Sequence, residues 1–306
     1  TYQGTVWLAT VPFGTITSPV MGAELGLGEA MTPITLNYTS QAGNATFHNG
    51  NGTAWMVTNG QSAYNELDYL HVFDDMLLLS ADMNSSEQEL WKSDGTEAGT
   101  VLVKDINPNG PSDPVFFTTM GDYVYFRAND GTGEELWKTD GTASGTVKVK
   151  DINSGHSGNI GYGSRPTLMT VVNDTLYFRA DDGTHGAELW KTDGTAAGTV
   201  MVKDINPNGN AGINSLVGFN GMLYFGANDG INGTELWKSD GTEAGTVMVK
   251  DIGQNNQGTS SSPSSNPLYL TVFEDAFYFA AETDNASLGQ GRELWKSDGT
   301  EAGTVQ

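Results

Sequence analysis

Between residues 164 and 205 the apolar positions fall into four short runs: TLMTVV (167–172), TLYFRA (175–180), ELWKT (188–192) and TVMVKDI (199–205). Each run is too short for a typical helix and is bounded by turn residues, so each predicts a strand. Asn173-Asp174 separates the first two as a two-residue hairpin turn, while Asp182-Gly183 and Asp193-Gly194 mark the next two turns. Side chains alternate along a strand, so Glu188 and Trp190 share one face and Leu189 and Lys191 the other. In the last run Val200, Val202 and Asp204 oppose Met201, Lys203 and Ile205. A four-stranded meander with apolar groups on both faces needs a neighbour on each side.

The same unit recurs. Copies of ELWK[ST]DGTxxGTV begin at Glu89, Glu135, Glu188, Glu235 and Glu293. The first four copies run on through V-x-V-K-D-I to Ile106, Ile152, Ile205 and Ile252, and the fifth stops at Gln306. The first-turn equivalents are Asp74-Asp75, Gly121-Asp122, Asn220-Gly221 and Glu274-Asp275. A period of roughly 50 residues means one supersecondary unit stacked repeatedly. Radial stacking buries both faces of each sheet, which predicts an all-β protein, a β-propeller of about five four-stranded blades. The blades are expected at 64–106, 113–152, 164–205, 213–252 and 267–306. Residues 1–63 do not match the repeat and form an N-terminal β segment, either a small appendage or a degenerate sixth blade, with strands near 34–40, 45–49 and 53–59.

The repeat resembles the E-L-W-K-[ST]-D-G-T-x-x-G-T repeat of large secreted and surface proteins of bacteria and archaea, over roughly residues 64–306. That resemblance implies a propeller-like architecture and a surface location, but no particular reaction. The D-G-T-x-x-G-T hairpin is also similar to the Asp-box turn of sialidase propellers, at a different spacing.

Charge narrows the partners. The net charge of −23 argues against nucleic acid and anionic membranes, and favours cations. No Lys or Arg precedes Lys92, and the later lysines, Lys148 apart, occupy two repeat slots, after the Trp and in V-K-D-I. They therefore belong to the scaffold and form no basic patch. No apolar run is long enough to span a bilayer, and Cys is absent. The N-terminus lacks the basic start of a signal peptide and reads as a mature end. The expected location is extracellular or at the cell surface. There, Asn37, Asn44, Asn51, Asn84, Asn173, Asn232 and Asn285 are glycan acceptors or simply turn residues.

Catalytic signals are weak. The four histidines fall in no metal-ligand spacing, and neither G-x-S-x-G nor a P-loop occurs. Arg127 and Arg179 share one slot in adjacent blades, which reads as repeat usage. No enzyme is expected. Loops opening A-[ND]-D-G bring Asn129, Asp130, Asp181, Asp182, Asn228 and Asp229 before three of the ELW copies. Their oxygens suit Ca²⁺, and equally suit turns. Thr5, Val6, Trp7 and Leu8 resemble the G-T-V-x-V-K strand that the fifth copy lacks. An open edge accepts such a strand, from the chain itself or from a neighbour in a head-to-tail homopolymer. The expected function is thus a structural subunit of a surface layer or filament, with a carbohydrate-binding propeller or adhesin fragment as the alternative.

Overall fold

The computed structural model describes residues 37–38, 45–48, 54–56, 67–82, 87–154, 163–253, 264–282 and 291–306, with side chains from residue 69 onward. The chain divides into two compact units, Thr1–Asp113 and Pro114–Gln306. In the first unit, β1 (Asn37–Tyr38), β2 (Ala45–His48) and β3 (Ala54–Met56) form a three-stranded antiparallel sheet. The first blade follows as β4 (Leu67–Phe73), β5 (Met76–Ala81), β6 (Glu89–Ser93) and β7 (Val101–Lys104).

The second unit holds the remaining blades. The second is β8 (Val115–Met120), β9 (Tyr123–Asn129), β10 (Glu134–Thr139) and β11 (Val147–Lys150). The third is β12 (Thr167–Val172), β13 (Thr175–Asp181), β14 (Ala187–Thr192) and β15 (Val200–Lys203). The fourth is β16 (Asn214–Phe219), β17 (Met222–Asn228), β18 (Thr234–Ser239) and β19 (Val247–Lys250). The fifth is β20 (Leu268–Phe273), β21 (Ala276–Glu282) and β22 (Arg292–Ser297). Its fourth strand is reduced to a bridge in which Lys296 and Val305 exchange N–H···O bonds of 2.8 and 2.9 Å. The fold is all-β and of the β-propeller class, as the short runs predict.

The hairpin turns follow their residues. Asn173 and Asn220 take positive φ, as does the residue after each, which is the type I′ geometry that Asn-Asp and Asn-Gly favour. On the second and third strands the repeat Trp faces an aromatic partner: Phe126↔Trp137, Phe178↔Trp190, Phe225↔Trp237 and Phe279↔Trp295. The first strands β8, β12, β16 and β20 lie against one another in succession, so they are the innermost strands of this unit.

The core lies between blades. Tyr125, Leu136, Val149 and Ile152 of the second blade pack on Leu176, Phe178, Ala180 and Trp190 of the third. The same set recurs one blade later, with Leu189 and Ile205 against Phe225 and Trp237, and again with Leu236 and Ile252 against Phe279 and Trp295. Leu136, Leu189 and Leu236 are 0% exposed, whereas Leu294 in the same slot of the fifth blade is 68% exposed. Burial of the repeat leucine therefore comes from the following blade.

Gly194 shows how closely these blades meet. Its φ is +90°, and a Cβ there would collide with the Tyr125 hydroxyl of the preceding blade. Gly194→Ala should lower Tm, since the left-handed backbone alone costs about 1–2 kcal/mol. Adding Tyr125→Phe should return part of the loss. Calorimetry showing an unchanged Tm for Gly194→Ala would contradict this packing.

Candidate functional site

The outer turn of each blade consumes the repeat's polar residues. In the third blade Asp193 Oδ1 accepts from Thr195 N (2.8 Å) and Thr195 Oγ1 (2.7 Å), and Gly198 N donates to Thr195 Oγ1 (2.9 Å). Thr192 and Thr199 hydroxyls join at 2.7 Å. These bonds hold the Asp193 carboxyl below its usual range, the Thr195 hydroxyl bond contributing most. The lysines then reach forward. Lys138 Nζ donates to Gly194 O (2.9 Å) and Lys150 Nζ to Thr199 O (2.8 Å). Lys191 and Lys203 do the same to Gly241 O and Thr246 O, and Lys238 and Lys250 to Gly299 O and Thr304 O. An open pocket at this end of the third blade, lined by Lys191, Asp193 and Gly198, is made of these coupling residues.

The glutamate of E-L-W is a clasp. Glu135 accepts from the N–H groups of Ile152 (3.0 Å) and Ser164 (2.9 Å), and from the Ser164 hydroxyl (2.5 Å). It thereby ties its own blade to the connector that leads to the next. Glu235 does so with Ile252 and Ser265, and Glu89 with Ile106 and Ser112. Burial pushes all three carboxyls up, and the hydrogen bonds pull them back. Glu188 differs. The serine position is Ala211, so the hydroxyl donor is missing; Glu188 accepts from Ile205 N (2.8 Å), and its buried Oε1, like that of Glu89, has no hydrogen-bond partner. Burial is the largest influence, Asp204 adds its charge, the Ile205, Ala211 and Asn206 N–H groups pull the other way, and the Glu188 carboxyl is pushed up to about 7.

The first strand of each blade carries the variable chemistry. Each has a register shift near its start, where a non-glycine residue takes left-handed φ: Tyr69, Phe116, Leu168, Ser215 and Tyr269, with φ between 48° and 62°. Such positions cost about 1–3 kcal/mol each and cluster at functional sites. The backbone is the same in each blade, while the side chains differ. Tyr69, Leu168 and Tyr269 are exposed. Arginines gather beside these strands. Arg127 pairs across β9 with Val115 of β8, Arg179 pairs across β13 with Thr167 of β12, and Arg165 precedes β12. Arg127 Nε lies 3.3 Å from Glu134 Oε1, and Arg165 Nε lies 3.4 Å from Oε2 of the same carboxylate. The Arg127 guanidinium also sits 4.9 Å over the Phe116 ring. Neither the left-handed residues nor this arginine cluster is marked by a sequence motif.

The A-[ND]-D-G residues bond the turns between second and third strands, Asn129, Asp181 and Asn228 from the ends of β9, β13 and β17. Asn129 Oδ1 accepts from Gly131 N (2.8 Å), Asp181 Oδ1 from Gly183 N (2.7 Å) and Asn228 Oδ1 from Gly230 N (2.7 Å). Asp130 caps Thr132 and pairs with Lys148 at 2.8 Å; Asp182 binds His185, and Asp229 binds Asn232. Burial pushes these three aspartates up, but the bonds outweigh it and hold their carboxyls below the usual range. Among the described residues no three His, Asp or Glu side chains gather as a cation site. Of the sequons, Asn173 Nδ2 donates to Gly221 O (2.9 Å) and Asn232 Nδ2 to Asp229 Oδ2 (2.7 Å). Asn37 lies in β1. Asn44, Asn51, Asn84 and Asn285, and the strand residues Thr5, Val6, Trp7 and Leu8, lie outside the described residues.

No family model matches the chain, and no curated protein matches it. Solved structures do. A prolyl endopeptidase structure aligns at a TM-score of 0.50 and 10% identity, over 90% of this chain and 41% of its own. Puromycin hydrolase aligns at 0.47 and 13%, over 89% and 43%. Virginiamycin B lyase from Staphylococcus aureus aligns at 0.44 and 14%, over 90% and 91%. The chain thus spans less than half the length of the first two. At these identities the likeness concerns the propeller fold alone and does not make this chain an enzyme. The expected function, a surface-layer or filament subunit with a lectin or adhesin as alternative, is corrected to this extent: the prolyl endopeptidase that shares the fold is an enzyme and not such a subunit. On the last blade's edge, expected to take an N-terminal strand, Val305 pairs with Lys296 at the start of the fourth-strand position.

Two outcomes test these assignments. Glu188 titrates higher when folded, so its contribution to stability is complete below the unfolded value near 4.5 and is lost as pH rises through about 7. Ala211→Ser supplies the missing donor, and should raise Tm at pH 8, by about 1.5 kcal/mol of stability, and leave pH 4.5 unchanged. An equal shift at both pH values would contradict the clasp. Secondly, EDTA should leave Tm unchanged, because the loop carboxylates are already satisfied; a drop would place Ca²⁺ in those loops.

Proposed function

We propose that this chain serves as a non-catalytic recognition domain of the propeller type, binding its ligand along the innermost strands. One observation carries this reading: in the second compact unit the left-handed slot holds its backbone from blade to blade while its side chain changes among Phe116, Leu168, Ser215 and Tyr269. A scaffold that varies only the displayed group is built for contact. The repeat's lysines, aspartates, threonines and glutamates, by contrast, are spent on turns and on coupling. They are poorly placed to supply a nucleophile or a general base.

The test starts from a thermal-shift screen of peptides and small organic ligands, followed by amide-shift mapping of each hit. Binding should map to Phe116, Leu168 and Tyr269. The triple variant Phe116→Ser, Leu168→Ser, Tyr269→Ser should weaken it at least about tenfold, the loss of about 1.4 kcal/mol. The ligand should be recovered chemically unchanged. Chemical conversion of the ligand, or binding that survives the triple variant, would overturn the proposal.

A further inference from the structure

We propose that the seam between the third and fourth blades holds a carboxylate-bearing ligand, bound by Arg179 where the preceding seam is filled by Glu134. The inference rests on the recognition reading and names the ligand chemistry at one seam. Arg127 and Arg179 occupy one slot: each lies two residues before the end of its strand and pairs with the repeat leucine, Leu136 or Leu189. In the preceding seam the slot is complete, with the Glu134 carboxylate bridging Arg127 and Arg165. The protein itself thus shows which group this place accepts.

One blade later the arginine is kept and its partners are gone. Ala187 stands where Glu134 stood, and Gly212 where Arg165 stood. Arg179 makes no hydrogen bond or ion pair with any described residue; its Nε is buried without a hydrogen-bond partner, as is that of Arg127, but Arg127 has the Glu134 carboxylate 3.3 Å away and Arg179 has none. Asp181, on the same face, is turned into its own loop by the bond from Gly183 N. A buried donor on a permanent cation is costly to leave unsatisfied, and a carboxylate satisfies it with fixed geometry. The swap also opens room, since two long side chains are replaced by Ala187 and Gly212. Leu168, exposed on the adjacent innermost strand, offers an apolar contact to the rest of the ligand.

The test uses protein carrying ¹⁵N-arginine, in which four Nε–H signals are assigned by Arg→Lys substitutions. Acetate is titrated at constant ionic strength against chloride, with inorganic phosphate as a parallel arm. Acetate should shift the Arg179 signal saturably, leave Arg292 in place and act more strongly than phosphate. Ala187→Glu, which supplies an internal carboxylate, should abolish the acetate response. An Arg179 signal that does not move, four signals that move alike, or a response to phosphate alone would overturn the proposal. The wild-type titration decides even if Ala187→Glu fails to fold. Failure here leaves the broader recognition reading to be judged by the separate mapping at Phe116 and Tyr269.

Discussion

A buried carboxylate satisfied jointly by the end of its own blade and the approach to the next is the interaction on which the architecture depends. Burying Glu135 without donors would be prohibitive. Its donors are the N–H of Ile152, at the end of its own blade, and the N–H and hydroxyl of Ser164, on the way to the next. The clasp therefore fixes the end of one blade to the segment that leads into its successor. The lysines add forward bonds to the next turn, and the repeat leucine is buried by the same neighbour. The fifth blade shows the converse, with Glu293 and Leu294 exposed. Stability of this kind passes from neighbour to neighbour, as in repeat proteins generally.

The constraint divides the molecule's labour. Residues that couple blades must be the same in each copy, which is why ELWKSDGT returns almost unchanged. Variation is left to connectors, to loops between second and third strands, and to the left-handed slot of the innermost strands. The third-to-fourth seam departs furthest. It has Ala211 for the clasp serine, and Ala187 and Gly212 in place of the Glu134–Arg165 pair. What sets this seam apart is that Glu188 has no serine hydroxyl and Arg179 no carboxylate partner, whereas Glu89 has Ser112 and Arg127 has Glu134.

Much of the fold was legible in the sequence. Short apolar runs, two-residue Asn-Asp and Asn-Gly turns and the repeat itself mark the strands and blades, because these are local signals. The clasp was not legible: Glu135 meets donors 17 and 29 residues later, and recurring carboxylates read equally well as turn formers. The left-handed slot carries no glycine, so composition gives no hint of it. Arg179 looked like repeat usage because Arg127 shares its position; the difference lies in Ala187 and Gly212, which become neighbours of that slot only once strand register is known. In the fifth blade the start of the fourth strand is present as the Lys296–Val305 bridge, and the strand residues expected to complete it lie outside the described residues.

A double-mutant cycle on Glu135→Gln and Ser164→Ala, read by denaturant unfolding, tests the clasp most directly. The account predicts that the two losses are not additive, with a coupling energy of about 1–2 kcal/mol between residues in separate blades. Additive losses would mean that the carboxylate does not join one blade to the next, and the scheme of blade-to-blade coupling would fall.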